Sequence, residues 1–188
     1  MSEKLVYMRA YALQGKIGEA ARTGYATILR LKPTEEGSPL YELRTEACFD
    51  SAHFLADYHG KCENLHGHRW RMVVRIAQDT LGEEGTERDM VIDFGAFKRR
   101  VRALAGEFDH TFLVEAGTLQ PATVRALESE GFVLKVLPFR TTAENLARHF
   151  FDRLSAEGLP VASVEVYETP LNGAAYRADG TVSAREGR

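Results

Sequence analysis

Between His66 and Ile76 the residues His66, His68, Trp70, Met72, Val74 and Ile76 share one parity, while Arg69, Arg71 and Arg75 occupy the other. A period of two is the signature of a strand with one buried face, and no helix can satisfy it. Two histidines therefore stand on the same face as four apolar side chains. Tyr41 to His53 reads as a second strand. Asp79 to Asp89, with Gly82 and Gly85, reads as a turn between paired antiparallel strands, with Met90 to Asp93 as the end of a further strand.

Downstream the period changes. Asp93 is suited to cap a helix whose stripe is Phe94, Phe97, Val101, Leu104 and Phe108, and this helix would deliver Asp109-His110 at its C-terminal end. A second helix is expected from Thr141, with Thr141 and Glu144 as a capping box and Leu146, Phe150 and Leu154 buried. Pro121 to Ser129 reads as a shorter helix, and Phe132 to Pro138 and Val161 to Glu168 as strands. Strands, then helices, then strands indicate an antiparallel α+β domain. Upstream, Gln14 to Leu31 carries a weak helical pattern interrupted by Gly18 and Gly24, and residues 32–39 are rich in turn formers. Residues 1–40 are accordingly read as an N-terminal extension and 41–188 as the functional domain.

With 188 residues, 44% of them hydrophobic, and a formal net charge of -3, the chain suits one globular domain. It lacks the basic stripe of a nucleic-acid binder. Its apolar runs are far shorter than the roughly 20 residues of a membrane span, and Met1 to Lys4 do not resemble a signal peptide. A cytoplasmic protein is expected, and in a reducing compartment Cys48 and Cys62 would not form a disulfide.

The chemistry concentrates in few residues. On an extended strand His66 and His68 project the same way about 6.6 Å apart, at ~3.3 Å per residue, so that both imidazoles can reach one ion. His53, on the neighbouring strand, would complete three nitrogen ligands, the set that leaves a fourth zinc position open for water or substrate. A lone His-x-His is more often an ordinary pair; three of the chain's six histidines at these positions, within residues 53–68, reverse that balance. Cys62 lies in the polar loop 60–64 beside Lys61, where a reactive thiol is as well accommodated as an inert one. Cys48, inside a strand, reads as packing. Asp109-His110 joins a carboxylate to an imidazole, useful for proton relay or simply a helix end. Glu168 closes a strand on its apolar face, where a carboxylate is costly unless it meets donors.

Together Phe49–His53, Cys62-x-x-x-His66-Gly67-His68, Val91–Phe94, Phe108–His110, Thr142–Asn145 and Glu168-Thr169 resemble, in order from about Tyr41 to Arg177, the blocks of the 6-pyruvoyltetrahydropterin synthase / 6-carboxytetrahydropterin synthase family. The resemblance implies the tunnelling fold: a four-stranded antiparallel sheet with two helices on one face, closed into an oligomeric barrel, trimeric or hexameric, with active sites between subunits. It implies Zn2+ on His53, His66 and His68, Cys62 as base, Asp109 and His110 as its proton relay, and Glu168 and Thr142 on the substrate, a pterin triphosphate. The short Cys62-to-His66 spacing resembles the carboxy branch of the queuosine pathway. That branch converts 7,8-dihydroneopterin triphosphate to 6-carboxy-5,6,7,8-tetrahydropterin with release of acetaldehyde and triphosphate. The alternatives are 6-pyruvoyl product formation by the same residues and a zinc- and pterin-holding protein without turnover. Arg140-Thr141 and Val114 depart from the family pattern, and residues 1–40 have no counterpart in it.

Overall fold

Strand β1, Tyr41–His53, and strand β2, His66–Gln78, run antiparallel over their whole length. Their register sets Phe49 opposite Trp70, Ala47 opposite Met72, Thr45 opposite Val74 and Leu43 opposite Ile76, so the inward parities of both strands coincide. A slip of one residue would turn every one of these side chains to the other face. Phe49 and Trp70 stack with ring centroids 6.0 Å apart. The same register places His53 directly opposite His66, and Ser51 opposite His68.

This computed structural model describes residues 40–177; the helix expected from Gln14 to Leu31 and the turn-rich segment after it lie outside them. Beyond β2 the chain forms α1 (Phe94–Gly106), β3 (Thr111–Glu115), α2 (Pro121–Ser129), β4 (Leu134–Leu137), α3 (Ala143–Ala156), β5 (Val161–Tyr167) and β6 (Gly173–Arg177). The expected α+β class holds, but the sheet differs from the four antiparallel strands anticipated. It has six strands in the order β4-β3-β1-β2-β5-β6. β1, β2, β5 and β6 pair antiparallel; β3 then joins β1 in parallel at Ser51–His53, and β4 joins β3 in parallel. The β3 to β4 connection carries α2, the shorter helix expected over Pro121 to Ser129 and a third beside the two that the resemblance implies; none of its side chains is buried. Because β3 covers β1 only from Ser51 onward and Asp50 is bonded to Asp109 and His110, among the described residues Tyr41 to Phe49 of β1 keep an open edge, as does β6.

Helices α1 and α3 lie on the apolar face, α1 against β1 and α3 against β5 and β6. They bury Phe97, Val101 and Leu104, and Leu146, Phe150 and Leu154, among strand residues Phe49, Trp70, Met72, Val74, Ile76, Val164 and Val166. The opposite face is polar: Arg75 pairs with Glu42 and Glu165, Arg71 with Glu46, and the Arg71 guanidinium sits 4.2 Å from the Tyr167 ring centre. Cys48 belongs to this exposed face, so its expected role in strand packing is incorrect. Its even parity on β1 turns it away from the core.

Two further expectations need correction. Residues 79–93 do not lead into another strand. Gly82 bridges Arg88, and its N–H donates to the Met90 carbonyl at 2.9 Å, closing the segment on itself before α1. A Cβ at Gly82 would lie 2.6 Å from the Glu87 carbonyl oxygen, so only glycine permits this closure. The α3 cap is Thr142, not Thr141: the Thr142 hydroxyl accepts from the Asn145 N–H. Asp93 caps α1 as expected, accepting from the Ala96 N–H at 2.8 Å, but the helix stops at Gly106 and Asp109-His110 follows in a turn.

Phe150 has no solvent exposure and its ring meets Phe108 at 4.8 Å and Phe49 at 5.8 Å, joining α3 to β1 and to the turn before Asp109. Phe150→Ala should cost about 3–5 kcal/mol of stability. Val136→Ala, at an exposed position on β4, should remain within about 0.5 kcal/mol of the parent. Urea denaturation of the two variants side by side measures both.

Candidate active site

The β1–β2 register converges the three imidazoles at the end of the sheet. Ring centroids lie 4.5 Å apart for His53 and His66, 4.8 Å for His66 and His68, and 5.2 Å for His53 and His68. One ligand nitrogen from each lies within 4.8 Å of the others. Trp70 forms the floor, its ring 5.0 Å from His53 and 5.2 Å from His68.

Backbone carbonyls orient two of the rings. His53 Nδ1 donates to the Thr141 carbonyl at 2.9 Å and His66 Nδ1 to the Asn64 carbonyl at 2.8 Å. With the proton on Nδ1, the Nε2 lone pair is free, and the Nε2 atoms of His53, His66 and His68 are all shielded from solvent without a partner among the described residues. Buried polar nitrogens are ordinarily bonded, so three converging unpaired acceptors fit a cation. A carbonyl on the far ring nitrogen is also the usual support of a metal-bound histidine. Burial lowers the His53 pKa to about 4, opposed by the bond to Thr141 and reinforced by His66 and His68. Burial also lowers that of His68, with His66 adding to the shift. Both rings are therefore neutral at physiological pH, the form a metal ligand requires.

Cys62 sits half-buried in a single 3-10 turn, Lys61–Glu63, between β1 and β2. Its carbonyl accepts from the Leu55 N–H at 2.8 Å, tying the turn back to the residues that follow His53. Asp109 and His110 lie at the other side of β1. Asp109 Oδ1 accepts from the Asp50 N–H at 2.8 Å, and Oδ2 contacts His110 Nδ1 at 2.8 Å. Those bonds, first the Asp50 N–H and then His110, hold the Asp109 carboxyl below its ordinary range. His110 takes a left-handed φ of 55° and leaves its side chain 81% exposed. A hollow of about 520 Å3 has His68, His110, Thr111, Phe112, Phe132 and Val133 among its lining residues; Cys62 is not one of them. The chain thus brings the three histidines together, and Asp109 with His110, but leaves the thiol outside the hollow that His110 lines.

Residues 42–179 match the family described as 6-pyruvoyl tetrahydropterin synthase. The chain belongs to that family. It is similar to the 6-carboxy-5,6,7,8-tetrahydropterin synthase of Haemophilus influenzae, 35% identical over 144 residues, which are 73% of this chain and 99% of that one. The corresponding protein of Synechocystis is 35% identical over 70% of this chain and 88% of its own. Among solved structures, Plasmodium vivax 6-pyruvoyltetrahydropterin synthase shares the fold with a TM-score of 0.55 at 20% identity, covering 74% of this chain and 98% of that one. An uncharacterized protein of Wolinella succinogenes reaches 0.60, also at 20% identity, over 74% and 99%. The protein is an enzyme of the 6-pyruvoyl tetrahydropterin synthase family. Among the described residues no helix is long and apolar enough to cross a membrane.

For a family member the remaining side chains are informative. Glu168 lies one residue past the end of β5, its N–H bonded to the Asn172 carbonyl at 3.1 Å. Burial raises its pKa, nearby Glu144 raises it further, and His66 opposes both. The Thr142 hydroxyl is committed to capping α3. Sequence reasoning missed Asn64 and Thr141 as supports of the imidazoles. They act through main-chain oxygens, which every residue has, so no residue type could announce them. Thr141 carries one signal, its place beside the helix cap, and residue type there does not distinguish it from the cap itself.

The sign of the Glu168 shift yields a test. A carboxyl whose folded pKa exceeds its unfolded value favours the folded state while protonated, and that advantage is lost as pH rises from the unfolded value through the folded one. Above this window the ionised carboxylate is a liability to the ligand-free protein. Glu168→Gln should raise the thermal midpoint of the ligand-free protein at pH 7.5 relative to the parent, and the difference should vanish near pH 4. Differential scanning fluorimetry across that range measures it.

Proposed function

We propose that this enzyme is a zinc-dependent carbon–carbon lyase that converts 7,8-dihydroneopterin triphosphate to 6-carboxy-5,6,7,8-tetrahydropterin, releasing acetaldehyde and triphosphate, in queuosine biosynthesis. The observation that carries this reading is the convergence of three shielded, partnerless Nε2 atoms in a chain that matches nearly the full length of a relative named for the 6-carboxy product. An all-nitrogen triad with an open side is a catalytic zinc set rather than a closed structural one. A zinc ion held by His53, His66 and His68 would supply Lewis acidity to the side-chain hydroxyls of the substrate.

The protein groups divide the remaining work. Cys62 accepts a proton from the substrate side chain, and Asp109 and His110 pass it on. The Asp109 carboxylate suits that role because two hydrogen bonds keep it ionised and aligned with the His110 ring. Glu168 receives the paired N–H groups of the pterin edge, for which a half-buried carboxylate beside another carboxylate is a fitting acceptor. Thr142 lies one residue beyond the carbonyl that holds His53 and completes the substrate-binding set.

Assembly accounts for the position of the thiol. The open edges of β1 and β6 are complementary in kind, each a row of unpaired N–H and C=O groups, and a head-to-tail ring of subunits closes both. A neighbouring subunit then brings its own Cys62 or its Asp109-His110 pair to complete each site, in a trimer or a hexamer. The substrate is therefore enclosed by two chains.

Incubating zinc-loaded protein with 7,8-dihydroneopterin triphosphate and identifying the products by mass tests the reaction directly. 6-Carboxytetrahydropterin with acetaldehyde is expected; a 6-pyruvoyl product, or none, rejects it. His68→Ala should lose most bound zinc by metal analysis, and full occupancy would remove His68 from the ligand set. Cys62→Ala should keep zinc and pterin binding while losing roughly 10²–10⁴-fold in turnover. Cys48→Ala should match the parent, because Cys48 faces solvent on the other side of the sheet.

A further inference from the structure

We infer that Arg140 is a positioning residue for Cys62, fixing the thiol-bearing turn relative to the histidine triad. This rests on the reading of Cys62 as the base, but the placement itself stands on contacts within the chain. Arg140 is half-buried where the chain enters α3. Its Nη2 donates to the Ala56 carbonyl, 84 residues away in sequence, and its guanidinium carbon lies 5.7 Å from the centre of the Tyr58 ring. That distance is within the range in which a cation is attracted to an aromatic face. Arg140 therefore grips two residues of the loop 54–60 that joins His53 to the Cys62 turn.

From Tyr58 the contact continues to the turn. Gly60 immediately precedes Lys61–Glu63, and a Cβ on Gly60 would lie 2.7 Å from the Tyr58 ring. The ring thus rests directly on the backbone from which the Cys62 turn starts. Between the two gripped residues Asp57 holds a left-handed φ of 53°. A non-glycine residue in that region must be kept there by its surroundings, and the bond to the preceding carbonyl does so. The far end of the loop is closed by the Leu55 N–H to Cys62 carbonyl bond.

The other side of Arg140 is equally fixed. Its carbonyl accepts from Asn145 Nδ2 at 3.0 Å and from the Thr142 N–H at 2.8 Å, anchoring it to the first turn of α3. The next residue, Thr141, supplies the carbonyl that orients His53. Two adjacent residues of one rigid element therefore brace a metal-ligand candidate through the backbone and the base candidate through a side chain. A displacement near 1 Å of a reacting group can cost about 10²-fold in rate, so a loop of this kind gains from such a brace.

The test uses full-length zinc-loaded protein carrying Cys48→Ala, so that Cys62 is the one thiol. Arg140→Ala should keep its zinc content and lose between about tenfold and 10²-fold in kcat, with KM for 7,8-dihydroneopterin triphosphate little changed. The rate of Cys62 alkylation by iodoacetamide should rise severalfold, because the half-buried thiol is released. Arg140→Lys, which retains a cation able to reach the Ala56 carbonyl, should recover part of both effects. Tyr58→Ala, cutting the same path at its other end, should reproduce Arg140→Ala. Parent-like alkylation and kcat in Arg140→Ala, or a loss of activity that tracks lost zinc, overturns the inference. If Cys62→Ala turns over at the parent rate the base assignment fails, while the alkylation rates still decide whether Arg140 places the thiol.

Discussion

Everything at this site depends on the pairing register of β1 with β2. One set of cross-strand pairs carries Leu43, Thr45, Ala47 and Phe49 against Ile76, Val74, Met72 and Trp70, and the continuation of the same set carries His53 against His66. The apolar pairs are fixed by burial, because a one-residue slip would expose the aromatic core to water and drive Arg69, Arg71 and Arg75 into it. The imidazoles inherit this precision without contributing to it. A metal-ligand candidate placed at the end of a long, strongly specified hairpin needs no dedicated framework of its own, since the hydrophobic core already holds the strands to their alignment.

The imidazoles in turn impose a cost on the ligand-free protein. Three shielded nitrogen acceptors without partners and a half-buried carboxylate near Glu144 each oppose folding in the absence of a ligand. The sheet can carry that cost because Trp70, Phe49, Phe108 and Phe150 form a close aromatic cluster directly behind it. A bound cation and a bound heterocycle would relieve exactly those groups, so occupancy and stability rise together. The same local frustration that weakens the empty fold makes the site selective for partners with the right charge.

Much of this was legible in the sequence where side chains carry the pattern. The parity of His66 through Ile76, the stripe on α1 from Phe97 to Leu104 and the Asp93 cap rest on residue type and spacing, and the structure has them where those cues put them; Phe94, at the start of the expected stripe, is exposed, and Phe108 is buried beyond the helix end. The misreadings fall where geometry is decided by the main chain or by tertiary contact. Thr141 and Thr142 are equivalent as helix caps on paper; what separates them is that the Thr141 oxygens are engaged with His53 and Phe54. The parallel strands β3 and β4 are short, and their pairing beside β1 depends on the turn at His110 and the N–H it donates to the Asp50 carbonyl. For Cys48, lying in a strand does not decide burial; its even parity on β1, opposite to that of Phe49, does. The His triad was visible because three imidazoles are rare enough to count, whereas its supporting carbonyls were not.

The separation of Cys62 from the hollow lined by His110 follows from the same topology. Cys62 follows β1 on the loop leading into β2, whereas Asp109 and His110 are held against Asp50 on the side of β1 where β3 begins. Since β3 starts pairing only at Ser51 and the Asp50 N–H and carbonyl are taken by Asp109 and His110, the strand is open among the described residues along Tyr41 to Phe49, up to the Asp109 carboxylate. A second strand docking on that open edge would therefore end beside the Asp109-His110 pair. The mixed sheet ends at β4 and β6, and β1 adds an open stretch inside it that β3 does not reach; the groups proposed for proton transfer sit beside that stretch. Under the proposed assembly, closing that stretch with a neighbouring strand and completing the proton relay with a neighbouring thiol would be one event. Turnover would then be restricted to the assembled enzyme, with the substrate shielded by both chains.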